Sequence, residues 1–469
     1  MRGKRVLRGL LVSIVLASAA APAHAGKRPA LVVAVDKGDG KALARLLKKA
    51  KKKDLDAFDA DVKSPTAGMR AIQVAARKGD AAAVEALLTA GAQATAKALE
   101  LAADGGNVAL VQRLLAAGAP RADLALTAAA KAGRVEVVEA LLPAAKQADP
   151  YFNVDQVLEF AVYFPAKPSA AVVDALLKAK ANPAIPWGPG KQTVLHLAVA
   201  KGATDVVNVL LAAGAPVDAV DGDGSTPLLS AVRGAQLDIA AALLAAKADP
   251  RTINARGETL LSALIPLDPQ DAQTAALFDR LLAAKVPIDH AGPQGLTALM
   301  AAAAAGSKPW IEKLLARGAS VKAQTADGVR AIDLALTCAV STSAWAPPTV
   351  SACHGEAALA LLAPAKAPAG KVDRFERTPL ARAAMTGNGA LVDRMLALGV
   401  RDGSVDRWGN TPLHYAARYG TPAMIAALVA AKVANVNDPN DRDETPLAIA
   451  RAAGRADVEQ ALIAAGAKP

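Results

Sequence analysis

The stretch Thr411-Pro412-Leu413-His414-Tyr415-Ala416-Ala417 recurs, with small changes, at a nearly fixed interval in this chain of 469 residues. Thr378-Pro379-Leu380 lies one interval before it, and Thr445-Pro446-Leu447 lies one interval after it. Further upstream, Thr193-Val194-Leu195-His196 and Thr226-Pro227-Leu228 are separated by the same interval. A short period of this kind, about 33 residues, predicts a stack of small structural units. Such a stack presents a long surface and seldom encloses a chemical site.

The repeated unit resembles the ankyrin repeat. That repeat runs Thr-Pro-Leu-His, two alanines, a glycine, a second helix ending in Leu-Leu, then Gly-Ala and an Asp/Gly-rich turn. The unit at 193–225 has Leu195-His196, Gly202, Leu210-Leu211, Gly214-Ala215 and Asp221-Gly222-Asp223-Gly224. The resemblance implies an all-α repeat solenoid. Each unit is expected to be a helix-turn-helix that carries a short β-turn, here called its finger.

About thirteen stacked units are expected by this pattern. The intervals from Arg70 to Lys97 and from Lys97 to Leu124 are each six residues shorter than the usual period. Because the helices are intact there, the units near 97 and 124 are predicted to be bare helix pairs without fingers. The Thr position is assigned to Pro29, Arg70, Lys97, Leu124, Gln156, Thr193, Thr226, Thr259, Thr297, Arg330, Thr378, Thr411 and Thr445.

The pattern divides the chain into a signal peptide at 1–25 and a solenoid at 26–469. Within the solenoid, the units are irregular over 26–192 and regular over 193–336 and 371–469. An insertion at 338–353 separates the two regular parts.

The segment 1–25 has the three parts of a secretory signal peptide. Met1 to Arg8 is basic, Gly9 to Ala21 is apolar, and Ala23-His24-Ala25 is a small-x-small cleavage site. We therefore expect an exported protein of bacterial type, cleaved after Ala25 and either periplasmic or secreted. The alternative is a first buried helix. No later segment is apolar enough to predict a membrane span, because charges or glycines interrupt the alanine-rich runs.

Cys338 and Cys353 are the only cysteines, and they flank the largest irregularity in the repeat. The interval from Arg330 to Thr378 is fifteen residues longer than the usual period. The two cysteines therefore stand at the base of one inserted loop. In an exported protein this arrangement favours a disulfide. The alternative is two unrelated buried thiols.

The sequence contains no group of residues typical of an enzyme. His196 and His414 occupy the His position of the repeat, where the resemblance implies a ring that bridges neighbouring turns. No His-x-x-x-His, Cys-x-x-Cys, Gly-x-Ser-x-Gly or phosphate-binding glycine loop occurs. Asp221 and Asp223 lack the following glutamate that a calcium loop needs. We predict no catalytic activity, no cofactor, no metal and no small-molecule substrate.

The resemblance implies that partners meet the finger tips and the last two residues of each first helix. In the units at Thr378 and Thr411, these positions hold arginine and large aromatic residues, the types that dominate the energetics of protein interfaces. The alternative for Trp408 is that its ring folds over its own turn. The predicted protein-binding residues are Arg374, Phe375, Arg407, Trp408, Arg418 and Tyr419.

The formal net charge of the chain is +11. The expected signal peptide contains four basic residues and no acidic residue, so its removal leaves a moderately basic protein. On the predicted face, Asp36 and Asp104 are outnumbered by Lys37, Arg77, Lys78, Lys131, Lys201 and Arg233. We therefore predict a scaffold that binds an acidic protein on a basic concave face. The alternative is a binder of an anionic polymer, such as an acidic glycan or nucleic acid.

Overall fold

The computed structural model describes residues 28–61, 63–149, 151–292, 295–337, 339–341, 349–351, 354–362 and 372–468. The predicted signal peptide, Cys338 and Cys353 lie outside the described residues. Contacts between residues divide the chain into two compact units, Met1–Ala161 and Val162–Pro469. None of the helices in the described ranges is long and apolar enough to span a membrane.

The first unit is built from short helices that pair along the chain. The last two residues of its final helix belong to the second unit. The helices are α1 (Ala30–Asp36), α2 (Gly40–Leu47), α3 (Lys52–Leu55), α4 (Ala71–Lys78), α5 (Ala81–Thr89), α6 (Ala96–Gly105), α7 (Val108–Ala116), α8 (Ala122–Lys131), α9 (Val135–Ala148) and α10 (Val154–Tyr163).

The second unit continues the same alternation and, within its described residues, also contains two short paired strands. Its elements are α11 (Ala170–Lys178), α12 (Val194–Ala200), α13 (Thr204–Ala212), α14 (Pro227–Arg233), α15 (Leu237–Ala245), α16 (Leu260–Ala263), α17 (Ala272–Ala283), α18 (Ala298–Ala304), α19 (Lys308–Ala316), α20 (Ala331–Ala335), β1 (Ala339–Ser341), β2 (Thr349–Ser351), α21 (Gly355–Leu361), α22 (Pro379–Met385), α23 (Gly389–Ala397), α24 (Pro412–Tyr419), α25 (Pro422–Ala430), α26 (Pro446–Ala452) and α27 (Ala456–Ala464).

The repeated Thr-Pro sequence starts first helices. The hydroxyl of Thr226 accepts a hydrogen bond from the Leu229 N–H at 3.3 Å, and Pro227 occupies the first turn. This cap satisfies a backbone donor that the helix itself leaves free, and proline is tolerated at a position whose N–H is not needed. First helices then pack on first helices, as α12 does on α14, and second helices pack on second helices, as α13 does on α15.

The predicted bridging role of the repeat histidines is confirmed. Nδ1 of His196 accepts a hydrogen bond from the Thr193 N–H at 3.2 Å, and Nε2 donates to the Ser225 carbonyl at 3.1 Å. His414 makes the same pair of bonds, with Thr411 and with the Glu444 carbonyl. Burial lowers the pKa of both rings, which favours the neutral form that this bonding pattern requires.

The absence of fingers from the units near 97 and 124 is also confirmed. Only residues 90–95 connect α5 to α6, and only 117–121 connect α7 to α8, whereas 213–226 connect α13 to α14. The assignment of the Thr position to Lys97, Leu124 and Gln156 is wrong, because each of these residues lies inside a helix. The helices begin instead after Thr95, Arg121 and Asn153. Thr95 caps α6 through its hydroxyl, an interaction that a lysine side chain cannot make.

Two further segments depart from the regular repeat. In the unit at Thr259, α16 has only four residues, and Pro266 and Pro269 follow it. Proline cannot continue a helix, so an irregular connection leads to α17. In the predicted insertion, β1 and β2 pair antiparallel, with Val340 opposite Val350. The insertion therefore adds strands to a fold that was predicted to be all-helical.

Candidate protein-binding face

The fingers of the units at Thr378 and Thr411 share a tetrapeptide. Val372-Asp373-Arg374-Phe375 and Val405-Asp406-Arg407-Trp408 occur one repeat period apart. We call the two fingers, residues 372–377 and 405–410, the finger pair. The prediction from sequence singled out their arginines and aromatic residues but missed the shared tetrapeptide, whose signal was the identical order of residue types.

The aspartate of each tetrapeptide holds its own turn. Oδ1 of Asp406 accepts hydrogen bonds from the backbone N–H groups of Trp408 and Asn410, both at 2.9 Å. Oδ1 of Asp373 accepts from the N–H groups of Phe375 and Arg377, at 2.9 and 3.0 Å. Asp406 is buried, whereas its neighbours Arg407 and Trp408 are exposed. The buried carboxylate thus fixes the backbone on which the exposed side chains stand.

The two fingers contact each other directly. The N–H of Arg407 donates to the Phe375 carbonyl at 3.2 Å. The rings of Phe375 and Trp408 lie with their centroids 5.5 Å apart and their planes 32° from parallel. The Trp408 side chain keeps 41% of its surface exposed. Trp408 therefore packs against the neighbouring finger. This arrangement differs from the alternative in which the Trp408 ring folds over its own turn.

Three guanidinium groups surround the Phe375 ring. Those of Arg374, Arg377 and Arg407 lie 4.7, 4.8 and 5.7 Å from its centroid. Arg377 is buried and forms an ion pair with Asp373 at 2.6 Å. Arg374 and Arg407 are exposed, and neither takes part in an ion pair of the described residues. The finger pair therefore keeps two positive charges that no carboxylate of the described chain neutralises.

Two buried polar contacts involve the helices that directly follow the two fingers. The hydroxyl of Tyr415, in α24, donates to the Asp406 carboxylate. Burial, with help from this carboxylate, raises the pKa of Tyr415. In α22, the buried Arg382 donates to the carbonyl and the carboxylate of Asp333 at 3.2 and 3.4 Å. Asp333 stands at the His position of its unit, so here an ion pair links the units that a histidine links elsewhere.

Arg418 and Tyr419 form a separate pair at the end of α24. The Arg418 guanidinium lies 5.6 Å from the centre of the Tyr419 ring, and both side chains are half-buried. The Arg418 carbonyl accepts a hydrogen bond from Arg455 at 3.3 Å. Burial raises the pKa of the Tyr419 hydroxyl. Of the six predicted binding residues, four are thus held together by contacts within the finger pair, and two form their own pair.

Two sequence profiles of known families match this chain. The profile for Ankyrin repeats (3 copies) matches residues 72–153, 158–254, 349–440 and 380–469, and the profile for Ankyrin repeat matches residues 294–326. The matched residues make up more than half of the chain. The chain belongs to the ankyrin-repeat family. Ankyrin repeats are generally protein–protein interaction modules, and proteins built from them are typically non-catalytic scaffolds.

Among solved structures, the chain is similar to the one described as "Crystal structure of human ASB11 ankyrin repeat domain". The two sequences are 22% identical, and the match covers 59% of this chain and 100% of that chain. The TM-score is 0.32.

Carboxylates and backbone carbonyls engage part of the predicted basic face of the ankyrin repeats. In the first unit, Lys78 forms an ion pair with Asp36 at 3.2 Å, and Arg77 donates to the Pro65 carbonyl at 2.8 Å. In the second unit, Arg233 forms an ion pair with Glu258. Glu258 was absent from the prediction because it precedes the helix that starts after Thr259, on a neighbouring finger. These carboxylates reduce the positive charge that the sequence predicted for this face.

Two other aromatic groups differ in burial. Trp310 is fully buried, and its Nε1 donates to the Leu267 carbonyl at 2.7 Å. Tyr163 and Phe164 are exposed. Their ring centroids are 5.1 Å apart, and Tyr163 also contacts Trp187 at 4.9 Å.

The described residues contain no cluster of His, Cys, Asp and Glu that could hold a metal ion. The carboxylate of Asp221 accepts the backbone N–H groups of Asp223 and Ser225, both at 2.9 Å, and so stabilises its turn. This observation favours the turn over the calcium loop. Glu159, in α10, has a pKa raised to about 7 because its carboxyl group is partly buried. The finger pair itself presents two exposed guanidinium groups and the exposed Trp408 ring.

Proposed function

We propose that this ankyrin-repeat protein is a non-catalytic scaffold that binds an acidic partner protein through the finger pair, with Arg418 and Tyr419 as an extension of the site. The observation that carries the proposal is the Phe375–Trp408 stack with Arg374 and Arg407 beside it. Tryptophan and arginine are the residues most enriched among those that dominate binding energy. Here they stand exposed on two adjacent fingers.

The rigidity of the finger pair favours binding. Asp373 and Asp406 fix the two turns, and the Arg407 N–H joins one finger to the other. A site that is already ordered loses less conformational entropy when a partner docks, so more of the contact energy appears as affinity.

We further propose that the protein is exported, that about thirteen units make up the array, and that Cys338 and Cys353 form a disulfide. The sequence of residues 1–25 supports export, because it has the parts of a secretory signal. The β1–β2 pairing supports the disulfide, because it brings Ala339, which follows Cys338, opposite Ser351, which precedes Cys353 by two residues. A helix begins after or close to each of the proposed Thr positions, which supports the number of units.

The second candidate is a scaffold for an anionic polymer, and the two unneutralised arginines of the finger pair favour it. Salt separates the two candidates. Binding of a polyanion releases many counterions, so its affinity falls steeply with salt on logarithmic axes. A protein contact that involves two arginines should show a slope of magnitude below about 2 on the same axes.

Site-specific photo-cross-linking tests the proposal. A photoreactive amino acid is placed at Val405, which is 52% exposed within the finger pair, and the protein is irradiated in a periplasmic extract of its native host. The matched control carries the same amino acid at Ile463, which is 43% exposed on α27. We expect a cross-linked partner from position 405 that is absent from position 463. A partner captured from position 463 alone would contradict the proposed site.

A further inference from the structure

We propose that the finger pair binds an extended acidic peptide segment of its partner, in which two carboxylates at alternate residues pair with Arg374 and Arg407. An apolar side chain two residues before or after this pair, and therefore on the same face of the peptide, packs on the Phe375–Trp408 rings. This inference rests on the proposed function, since it uses the same site. It adds that the partner is recognised as a linear segment with a defined order of side chains.

The shared tetrapeptide creates two equivalent subsites. Val372, Arg374 and Phe375 on one finger have the same order as Val405, Arg407 and Trp408 on the next, and each finger is fixed by its own aspartate. A ligand that uses both subsites in the same way must itself repeat along its length. An extended polypeptide does this, because every second side chain points to the same face.

The contacts between the two fingers place the subsites within reach of a short extended segment. The two fingers are in hydrogen-bond contact through the Arg407 N–H and the Phe375 carbonyl at 3.2 Å, and the two rings are 5.5 Å apart. Alternate side chains of an extended strand are separated by about 7 Å. Carboxylates at positions i and i+2 of a peptide therefore match neighbouring fingers, whereas adjacent carboxylates would point to opposite faces.

The charges and the rings together select the chemistry of the ligand. Both exposed guanidinium groups lie beside the same Phe375 ring, so a single peptide can reach both of them. A guanidinium group held beside an aromatic ring keeps N–H donors for a bidentate bond to a carboxylate. Val372 and Val405 are 58% and 52% exposed and extend the apolar surface. A polyanion without apolar side chains would leave this surface uncovered.

The neighbouring fingers limit the site to two subsites. The position of Arg374 and Arg407, four residues before the Thr position, is occupied by Ala326 in the preceding finger and by Asp441 in the following one. Asp441 lies directly next to the finger pair, since its N–H donates to the Trp408 carbonyl at 3.1 Å. Its carboxylate would repel a third acidic residue of the peptide. The site therefore takes two carboxylates.

Binding of synthetic peptides to the full chain tests the inference. The probe is a fluorescein-labelled peptide with the central sequence Glu-Ala-Glu-Ala-Leu, which places both carboxylates and the leucine on one face of an extended chain, and its binding is followed by fluorescence anisotropy. The control peptides are Gln-Ala-Gln-Ala-Leu, which lacks charge, and Glu-Glu-Ala-Ala-Leu, which has the same composition with adjacent carboxylates. We expect the alternating acidic peptide to bind about tenfold more tightly than either control, the scale of a charged bidentate hydrogen bond.

Substitutions in the finger pair complete the test. Arg374→Gln and Arg407→Gln should each weaken binding of the alternating acidic peptide by about tenfold. Arg401→Gln, at an exposed arginine outside the finger pair, should leave it unchanged. Circular dichroism checks that each variant folds. Equal affinity for the Gln-Ala-Gln-Ala-Leu peptide, or no loss of affinity in either finger variant, would overturn the inference.

The outcome also separates this inference from the proposed function. If position 405 cross-links a partner but the alternating acidic peptide shows no binding at about 1 mM, the proposed function stands and the linear acidic segment is refuted. If neither the cross-link nor the peptide complex forms, both are refuted.

Discussion

Two aspartates determine what the individual residues of the finger pair present to a partner. Asp373 and Asp406 turn inward and accept the backbone N–H groups of their own fingers. The next two residues of each finger are an arginine and an aromatic residue, and these hydrogen bonds fix the backbone that carries them. The resemblance to ankyrin repeats predicted which positions carry these side chains. It did not predict the Phe375–Trp408 stack, because that contact depends on how two fingers lie side by side.

Replacement of Trp408 is the most direct change at a single residue. We expect Trp408→Ala to weaken binding of the partner by about 2 kcal/mol, the scale of an interface hot spot, without a change in folding, since the ring lies outside the helix stack. Titration calorimetry measures the affinity. Trp187→Ala is the matched control, because Trp187 is also a finger residue that packs on an aromatic neighbour. A loss of affinity in the control alone would place the site elsewhere.

His196 and His414 predict how stability depends on pH. Burial lowers the pKa of both rings, so below the ordinary pKa of 6.5 the unfolded chain takes up protons that the folded chain does not. Their contribution to stability is therefore complete above pH 6.5 and is lost as the pH falls through that value towards the folded pKa. We expect the melting temperature of the wild type to exceed that of His196→Gln/His414→Gln by less at about pH 5 than at about pH 7.5.

Circular dichroism melts of the two proteins at both pH values give this comparison. The difference between wild type and variant removes the effects of other titrating groups, such as Glu159. A difference that stays constant or widens on acidification would show that the rings are not held neutral in the folded protein.

The helices and fingers show how far local sequence signals reach. Where Thr-Pro marks a first helix, the predicted start is correct, as at Thr226 and Thr411. The starts near Lys97 and Leu124 were misplaced because the loss of the finger also removes the Thr-Pro signal. The Asp333–Arg382 pair was missed for a different reason. It joins residues 49 apart across the insertion, which no short-range pattern can predict.

The Asp333–Arg382 pair joins α20 to α22, and we expect its loss to destabilise the folded protein. Arg382→Ala should lower the free energy of unfolding by roughly 1–3 kcal/mol, because the buried Asp333 loses one of its charged hydrogen-bond donors. Urea denaturation measures the loss, and Arg401→Ala serves as the exposed control. Asp333→His combined with Arg382→Leu should recover much of it, because histidine at this position accepts the backbone N–H that begins the helix, as His196 does. A harmless Arg382→Ala substitution would contradict the role of the pair.

The insertion between α20 and α21 carries a prediction of its own. We expect a disulfide between Cys338 and Cys353 that stabilises the protein by about 3 kcal/mol in the chain-entropy treatment of a loop of this size. In a repeat array this effect is felt mainly by neighbouring units. Labelling with a maleimide in denaturant should detect no thiol before reduction and two after it. Two reactive thiols without reductant would show that the bond is absent.

At the level of the whole chain, composition and period explain much of the architecture. Alanine is abundant and aromatic residues make up only 3% of the sequence, which suits thin helix pairs that pack closely. The period of the Thr-Pro-Leu sequence led to the correct family and to the positions of the fingers. The net charge was a poorer guide to the site, because ion pairs such as Lys78–Asp36 and Arg233–Glu258 neutralise part of it. Such pairs depend on packing between units.

Hydrogen–deuterium exchange tests the location of the binding face most directly. It compares the free chain with its complex with the purified partner that photo-cross-linking identifies. We expect slower exchange on binding at residues 372–377 and 405–410 and at the end of α24, with the finger at 221–226 as an internal control that does not change. Protection at the control finger, with no change at the finger pair, would show that the partner binds another part of the chain.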